Sequence, residues 1–192
     1  MVLIKDFNTA KQRLSPALSP TDRCELARRN ASLALAAAHA ADWVLAVCGS
    51  PEAAELGLSA GATILLEPSP AGQNVAAARG LAHVQAAGVG AALLLSSDLP
   101  LVTRRAIGRL LRRARSMGTP AVLAAPALGR GGTNALYVSP PDIIGLHFGG
   151  DSLRRFKQEA MARGIPFAVH NARALALDLD QPADLEALAR AV

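Results

Sequence analysis

Short apolar runs alternate along this chain with longer stretches in which apolar positions recur at helical spacing. The short runs fall at 2–4, 43–48, 63–66, 91–96, 121–125, 135–138, 167–170 and 175–179. Several are apolar throughout, as strands covered on both faces are. Between them, Ser19-Pro20-Thr21-Asp22 supplies a capping serine, a proline at the first helical position and an acid in the first turn. Its helix is predicted to run to about Ala40. Asn74 is predicted to cap a helix over 75–87 and Thr103 one over 104–115, while Asp151 or Ser152 opens a helix to about Arg163. Pro182 begins a closing helix through Ala191. Strands alternating with helices predict an α/β fold, a mostly parallel sheet with flanking helices. No linker divides the chain, so residues 1–192 are expected to form a single domain.

Composition narrows the picture. The chain is 51% hydrophobic and 18% charged, enough to bury a core and too apolar for disorder. Aromatic residues make up only 3%, which removes the stacking platforms of single-stranded nucleic-acid binders. No stretch reaches the roughly 18 apolar residues of a membrane span, and Lys5 and Asp6 interrupt any leader, so a cytoplasmic protein is expected. The net charge of +5 permits an anionic partner without choosing among them. Cys24 and Cys48 lie in a helix and a strand, without metal or redox spacing. The four histidines form no triad pattern with serine or cysteine.

In such a sheet, ligands gather beyond the carboxyl ends of the strands. The predicted strand ends carry Lys5 to Arg13, then 71–74, Ser97-Asp98-Leu99-Pro100, 129–134 and Asp178-Leu179-Asp180. These cations, glycines, an amide and three acids suit a metal-bound phosphate ester. Asp178 and Asp180 stand two apart, which in an extended chain puts both on one face, about 7 Å apart. With Asp98 they form a candidate Mg²⁺ set, since Mg²⁺ takes hard oxygens and leaves positions for phosphates and water. Each acid has a plainer reading: Asp98 as a turn residue, Asp178 as a solvated strand end, Asp180 as a helix cap. Lys5, Lys11 and Arg13 can neutralise a triphosphate or simply face solvent. Asn74 can touch a nucleotide or cap its helix. The glycine loops around Thr133 and before Ser152 match neither a P-loop nor a dinucleotide-binding fingerprint.

In order along the chain, Lys5 with 11–14, Gly72-Gln73-Asn74, Ser97-Asp98-Leu99-Pro100, 131–136, 148–152 and 177–185 resemble the CofC/FbiD guanylyltransferases, from about Lys5 to Leu185. The resemblance implies a GT-A-like, Rossmann-like nucleotidyltransferase fold. It implies transfer of GMP from GTP to the phosphate of phosphoenolpyruvate or 2-phospho-L-lactate during coenzyme F-420 biosynthesis. It also implies Mg²⁺ on Asp98, Asp178 and Asp180, an acceptor phosphate on Thr133, Gly149 and Ser152, and a triphosphate held near Lys11 and Arg13. The expected partners are therefore GTP and a small phosphorylated acid, with no nucleic acid or membrane; a homodimer is left open. Another nucleotidyltransferase acceptor (3-phosphoglycerate or molybdopterin) and a non-catalytic nucleotide- or nucleic-acid-binding domain are the alternatives. The chain departs from the family at Leu3, where a proline is usual, and at Leu153 and Phe156, where Phe and His are usual.

Overall fold

The computed structural model describes residues 1–190. Seven strands form one sheet in the order β3-β2-β1-β4-β6-β5-β7: β1 Val2–Ile4, β2 Leu45–Cys48, β3 Thr63–Leu66, β4 Ala92–Ser96, β5 Ala121–Pro126, β6 Thr133–Ser139 and β7 Phe167–Val169. Every pairing is parallel except the two made by β6, which runs antiparallel to β4 and β5. The mostly parallel sheet expected from the apolar runs is present.

The helices are α1 Pro20–Ala38, α2 Pro51–Ser59, α3 Gln73–Ala86, α4 Arg104–Ser116, α5 Ser152–Ala162, α6 Arg173–Ala176 and α7 Pro182–Ala189. Helix α1 starts at the expected capping box: Ser19 accepts from the Asp22 N–H, while Asp22 takes the Ser19 N–H. Helices α1, α2 and α4 cover one face, packing Leu35, Ala53, Ile107 and Leu110 on Ile4, Leu95 and Leu123. On the other face, α3 and α5 bring Ala77, Leu81 and Phe156 onto Leu3, Leu94 and Val122. Strand alternation thus sends neighbouring residues such as Leu94 and Leu95 into opposite cores. With few aromatics, the layers approach closely through Ala and Gly. A Cβ at Gly80 of α3 would lie 2.9 Å from the Val47 side chain and nearer still to Met1. Leu3, one of the departures, is simply part of this core.

Three expectations are corrected and one helix is added. Residues 175–179 are not a strand: they enter through α6 and continue as irregular chain across the strand tips. Their alternation reflects burial of Leu175, Leu177 and Leu179, while their carbonyls are taken by the Asn134 side chain and the Leu128 N–H instead of a ladder. The cap of α3 is Gly72, not Asn74, because the helix begins at Gln73, two residues earlier than expected. Asp151 is the N-cap of α5, but its side chain makes no capping hydrogen bond. Helix α2 is additional, capped by Ser50 and led by Pro51. The predicted end of the last helix, Ala191, lies outside the described residues.

Candidate active site

The carboxyl ends of β1, β3 and β4 open onto a cavity of about 480 Å³, whose wall includes Lys5, Lys11, Glu67, Asp98 and Asp180. Three loops bring these groups together. After β1 the chain turns through Lys11, whose left-handed backbone (φ 58°) starts one turn of 3₁₀ helix, Gln12–Leu14. Such a conformation is costly for a side-chain-bearing residue, and it persists because the surroundings hold it. The Lys11 side chain is only 7% exposed, and its ammonium donates to Asp98 Oδ2 at 2.9 Å and to the Leu179 carbonyl at 2.5 Å. One lysine therefore ties the β1 loop to the tip of β4 and to the 177–181 segment.

Asp98 also accepts from the Ser96 hydroxyl at 2.5 Å. Burial opposes its ionisation, but Lys11, Ser96 and the more distant Lys5 outweigh that and hold the carboxyl below its usual range. The Asp98 carbonyl accepts from the Leu179 N–H at 3.2 Å, which places Asp178 and Asp180 beside it. Burial, helped by the negative charge of Asp98, pushes the Asp178 carboxyl up, against the pull of Arg130 and Asn134. Asp180 pairs with Arg13 at 2.7 Å.

Arg130 is the organiser that sequence reasoning passed over. From the β5–β6 loop its guanidinium reaches Asp184 at 3.0 Å, Asp178 at 3.3 Å and Asp180 at 3.7 Å, and it donates to the Asp178 carbonyl. Its contacts confirm that Asp178 and Asp180 present their side chains to one side, though not on a strand. Asp184 also accepts the Asp180 and Gln181 N–H groups, fixing the start of α7. Asn134 reaches Asp178 at 3.4 Å. Both fall in stretches the sequence marks, 129–134 and 177–185, but an arginine among loop glycines and an aspartate three residues into a helix show no spacing that announces their pairing.

The expected acceptor residues form a second group that does not line this cavity. Ser152 is fully buried and donates its hydroxyl to Thr133 Oγ1 at 3.0 Å. Gly149 precedes it with φ 127°, a backbone that favours glycine. Asn74 clamps the neighbouring residue: its amide donates to the Phe148 carbonyl and accepts the Phe148 N–H at 2.8 Å. Both polar ends of Asn74 are thus occupied by backbone. Phe156, a departure, is buried beneath Phe148 and His147, with ring centres 5.3 and 5.5 Å away.

Among the described residues no three His, Cys, Asp or Glu side chains are arranged to hold a metal by themselves. The acids are instead balanced by Lys11, Arg13 and Arg130. The hydrogen bond from the Leu179 N–H to the Asp98 carbonyl nonetheless sets Asp178 and Asp180 on either side of a residue that touches Asp98, and oxygen donors are what Mg²⁺ requires. Mg²⁺ commonly takes one or two carboxylates and completes its shell with substrate phosphates and water, so these residues fit it when a nucleotide is present. No helix among the described residues is long and apolar enough to cross a membrane.

The family model described as "Guanylyl transferase CofC like" matches residues 1–189. The chain belongs to that family. A phosphoenolpyruvate guanylyltransferase of Sphaerobacter thermophilus is 34% identical over 98% of this chain and 91% of its own length. A 3-phospho-D-glycerate guanylyltransferase of Phenylobacterium zucineum is 34% identical over 94% of this chain and 84% of its own. The CofC-family chain also superposes on a solved nucleotidyl transferase of Methanothermobacter thermautotrophicus, with TM-score 0.67 and 16% identity, covering 97% of this chain and 93% of the other. That likeness establishes the nucleotidyltransferase fold.

Proposed function

We propose that this CofC-family chain transfers the guanylyl group of GTP to the phosphate of a three-carbon phosphorylated carboxylic acid, with Mg²⁺ and release of pyrophosphate. Phosphoenolpyruvate is the first acceptor to consider, 2-phospho-L-lactate and 3-phosphoglycerate the next, and the product serves coenzyme F-420 assembly. The observation that carries the reading is the cavity where Lys5, Lys11, Asp98 and Asp180 meet at the strand ends, within a chain of this family.

The acceptor phosphate is already an anion near neutral pH, so the reaction needs no strong base and no protein nucleophile. One acceptor oxygen forms a bond to the α-phosphorus of GTP while the bond to the bridging oxygen of pyrophosphate breaks. The obstacle is repulsion between two anions. Lys11 on the cavity wall and Arg13, which reaches it through Asp180, counter the charge of the triphosphate and of the departing pyrophosphate. Arg130 holds Asp178 and Asp180 in place. Thr133, whose oxygen already accepts from Ser152, keeps its own proton free to donate to the acceptor, with Ser152 and the Gly149 loop positioning it. Mg²⁺ held by Asp98, Asp178 and Asp180 would neutralise charge building on the α-phosphate and leaving group.

The test incubates the purified protein with GTP, Mg²⁺ and each acceptor in turn, and follows pyrophosphate and product mass. A guanylylated three-carbon acid is expected. No pyrophosphate with any acceptor, together with tight, salt-sensitive binding to DNA or RNA, would overturn the reading.

A further inference from the structure

Glu67 stands just beyond β3, where its N–H donates to the Cys48 carbonyl at 2.9 Å. Its side chain is only 6% exposed, and one carboxylate oxygen accepts from Arg79 of α3 at 2.9 Å. Arg79 is held in turn by the Ser69 carbonyl at 3.1 Å. The other Glu67 oxygen meets no donor among the described residues, yet the residue lines the same cavity as Lys11 and Asp98. A nearly buried carboxylate with open lone pairs, facing a cavity, calls for a donor from whatever fills it.

Position says which part of the substrate that is. Strand β3 is separated from β4 by β2 and β1, so Glu67 and Asp98 stand about three strand spacings apart, on the order of 14 Å. That is roughly the reach of a nucleotide from the far edge of its base to its α-phosphate, with the side chains closing the difference. With the α-phosphate beside Asp98, the base comes to the β3 end. There the wall includes Gly49, Pro70, Gly72 and Gln73, two of them without side chains.

We infer that Glu67 reads the guanine base, its carboxylate accepting hydrogen bonds from N1–H and the 2-amino group while Arg79 fixes its orientation. The chemistry selects guanine. Only guanine offers two adjacent N–H donors on that edge; adenine and cytosine pair one donor with a ring acceptor, and uracil flanks its donor with carbonyls. A carboxylate here repels those acceptors as well as failing to satisfy them. The inference rests on the guanylyl transfer proposed above and names the base contact within it.

The experiment compares GTP, ITP and XTP in binding by calorimetry and in turnover, for the unaltered protein and Glu67→Gln. ITP lacks the 2-amino group, so the unaltered protein is expected to bind and use it about 10- to 100-fold less well than GTP. In Glu67→Gln that discrimination should shrink to about 3-fold or less, because the amide keeps one acceptor and turns the other position into a donor. The same amide suits the 2-oxo group of xanthine, so XTP should overtake GTP, a gain that no folding defect produces. Equal treatment of GTP and ITP by the unaltered protein would overturn the inference even if the variant did not fold. So would a Glu67→Gln variant that keeps the original preference. Guanylyl transfer with selectivity indifferent to Glu67 removes the base contact and leaves the reaction standing. Glu67-dependent preference in binding, with no product from any acceptor, removes the reaction and leaves the contact.

Discussion

Lys11 and Asp180 answer different questions, because one is enclosed and the other is not. Lys11 is nearly buried and holds Asp98 and the Leu179 carbonyl, so Lys11→Met leaves a carboxylate and a carbonyl without their donor. Breaking such a pair from one side is expected to cost about 3 kcal/mol, read as a lower urea midpoint at unchanged slope. A loss under about 1 kcal/mol would mean that the lysine is not the tether described. Asp180 faces an Arg13 that is 72% exposed, so Asp180→Asn should leave the midpoint nearly unchanged. Turnover should nevertheless fall by about 100-fold or more, since one of the carboxylates proposed to hold Mg²⁺ beside the reacting phosphates is gone. Near-normal turnover in Asp180→Asn would remove it from the site. The sequence disclosed these residues because acids and cations just after short apolar runs are visible in one dimension, even where, as before Asp180, the run is not a strand. The pairing of Arg130 with Asp184 stayed hidden, since it is a meeting across 54 positions that no local pattern announces.

At the scale of elements, α5 braces the loop that leads into it. Glu159 accepts the Gly145 N–H at 3.0 Å, meets His147 Nε2 at 2.5 Å and pairs with Arg163 at 2.7 Å. Burial works against its charge, but the Gly145 N–H, His147 and Arg163 prevail and hold the carboxyl below its ordinary value near 4.5. A carboxyl depressed in the folded state stabilises it fully above about pH 4.5, and this contribution is lost as pH falls through the folded value. Glu159→Gln should therefore be about 1–2 kcal/mol less stable at pH 7, with the gap closing in acid as the native carboxyl protonates. A gap independent of pH would assign the loss to packing instead. Most elements were legible from period and caps. Period alone could not separate a strand from the buried, irregular 175–179 segment, because apolar alternation reports which side is covered and not which backbone is paired. It was equally silent on the direction of β6, which depends on the 127–132 connection being short enough to reverse the chain at once. Helix α2 escaped notice because nine residues with a glycine among them hold little periodicity, although Ser50-Pro51 marked its start.

Over the whole molecule, the cavity is assembled from segments that lie far apart in the chain: 87 residues separate Lys11 from Asp98 and 167 separate Arg13 from Asp180. A ligand bridging them stabilises the native fold and has nothing comparable to bind in the unfolded chain. GTP with Mg²⁺ at about 100 times Kd should add about 2.7 kcal/mol, which for a domain of this size raises Tm by about 5–10 °C. The metal's share of that shift follows from how the acids are balanced without it. Lys11, Arg13 and Arg130 each hold one or more of the three aspartates, so the free protein has counter-charges in place before any cation arrives. A chelator should accordingly leave the Tm of the free protein within about 1 °C and erase most of the shift produced by GTP. If the chelator alone lowered Tm by several degrees, the metal would be part of the resting architecture and the basic side chains would not suffice to balance the acids. If the GTP shift survived chelation intact, the nucleotide would bind through Lys11, Arg13 and the base contact, with Mg²⁺ contributing only once the acceptor is present. Asp180→Asn then separates those two steps, because it leaves the base end of the cavity untouched while removing an oxygen donor from the phosphate end.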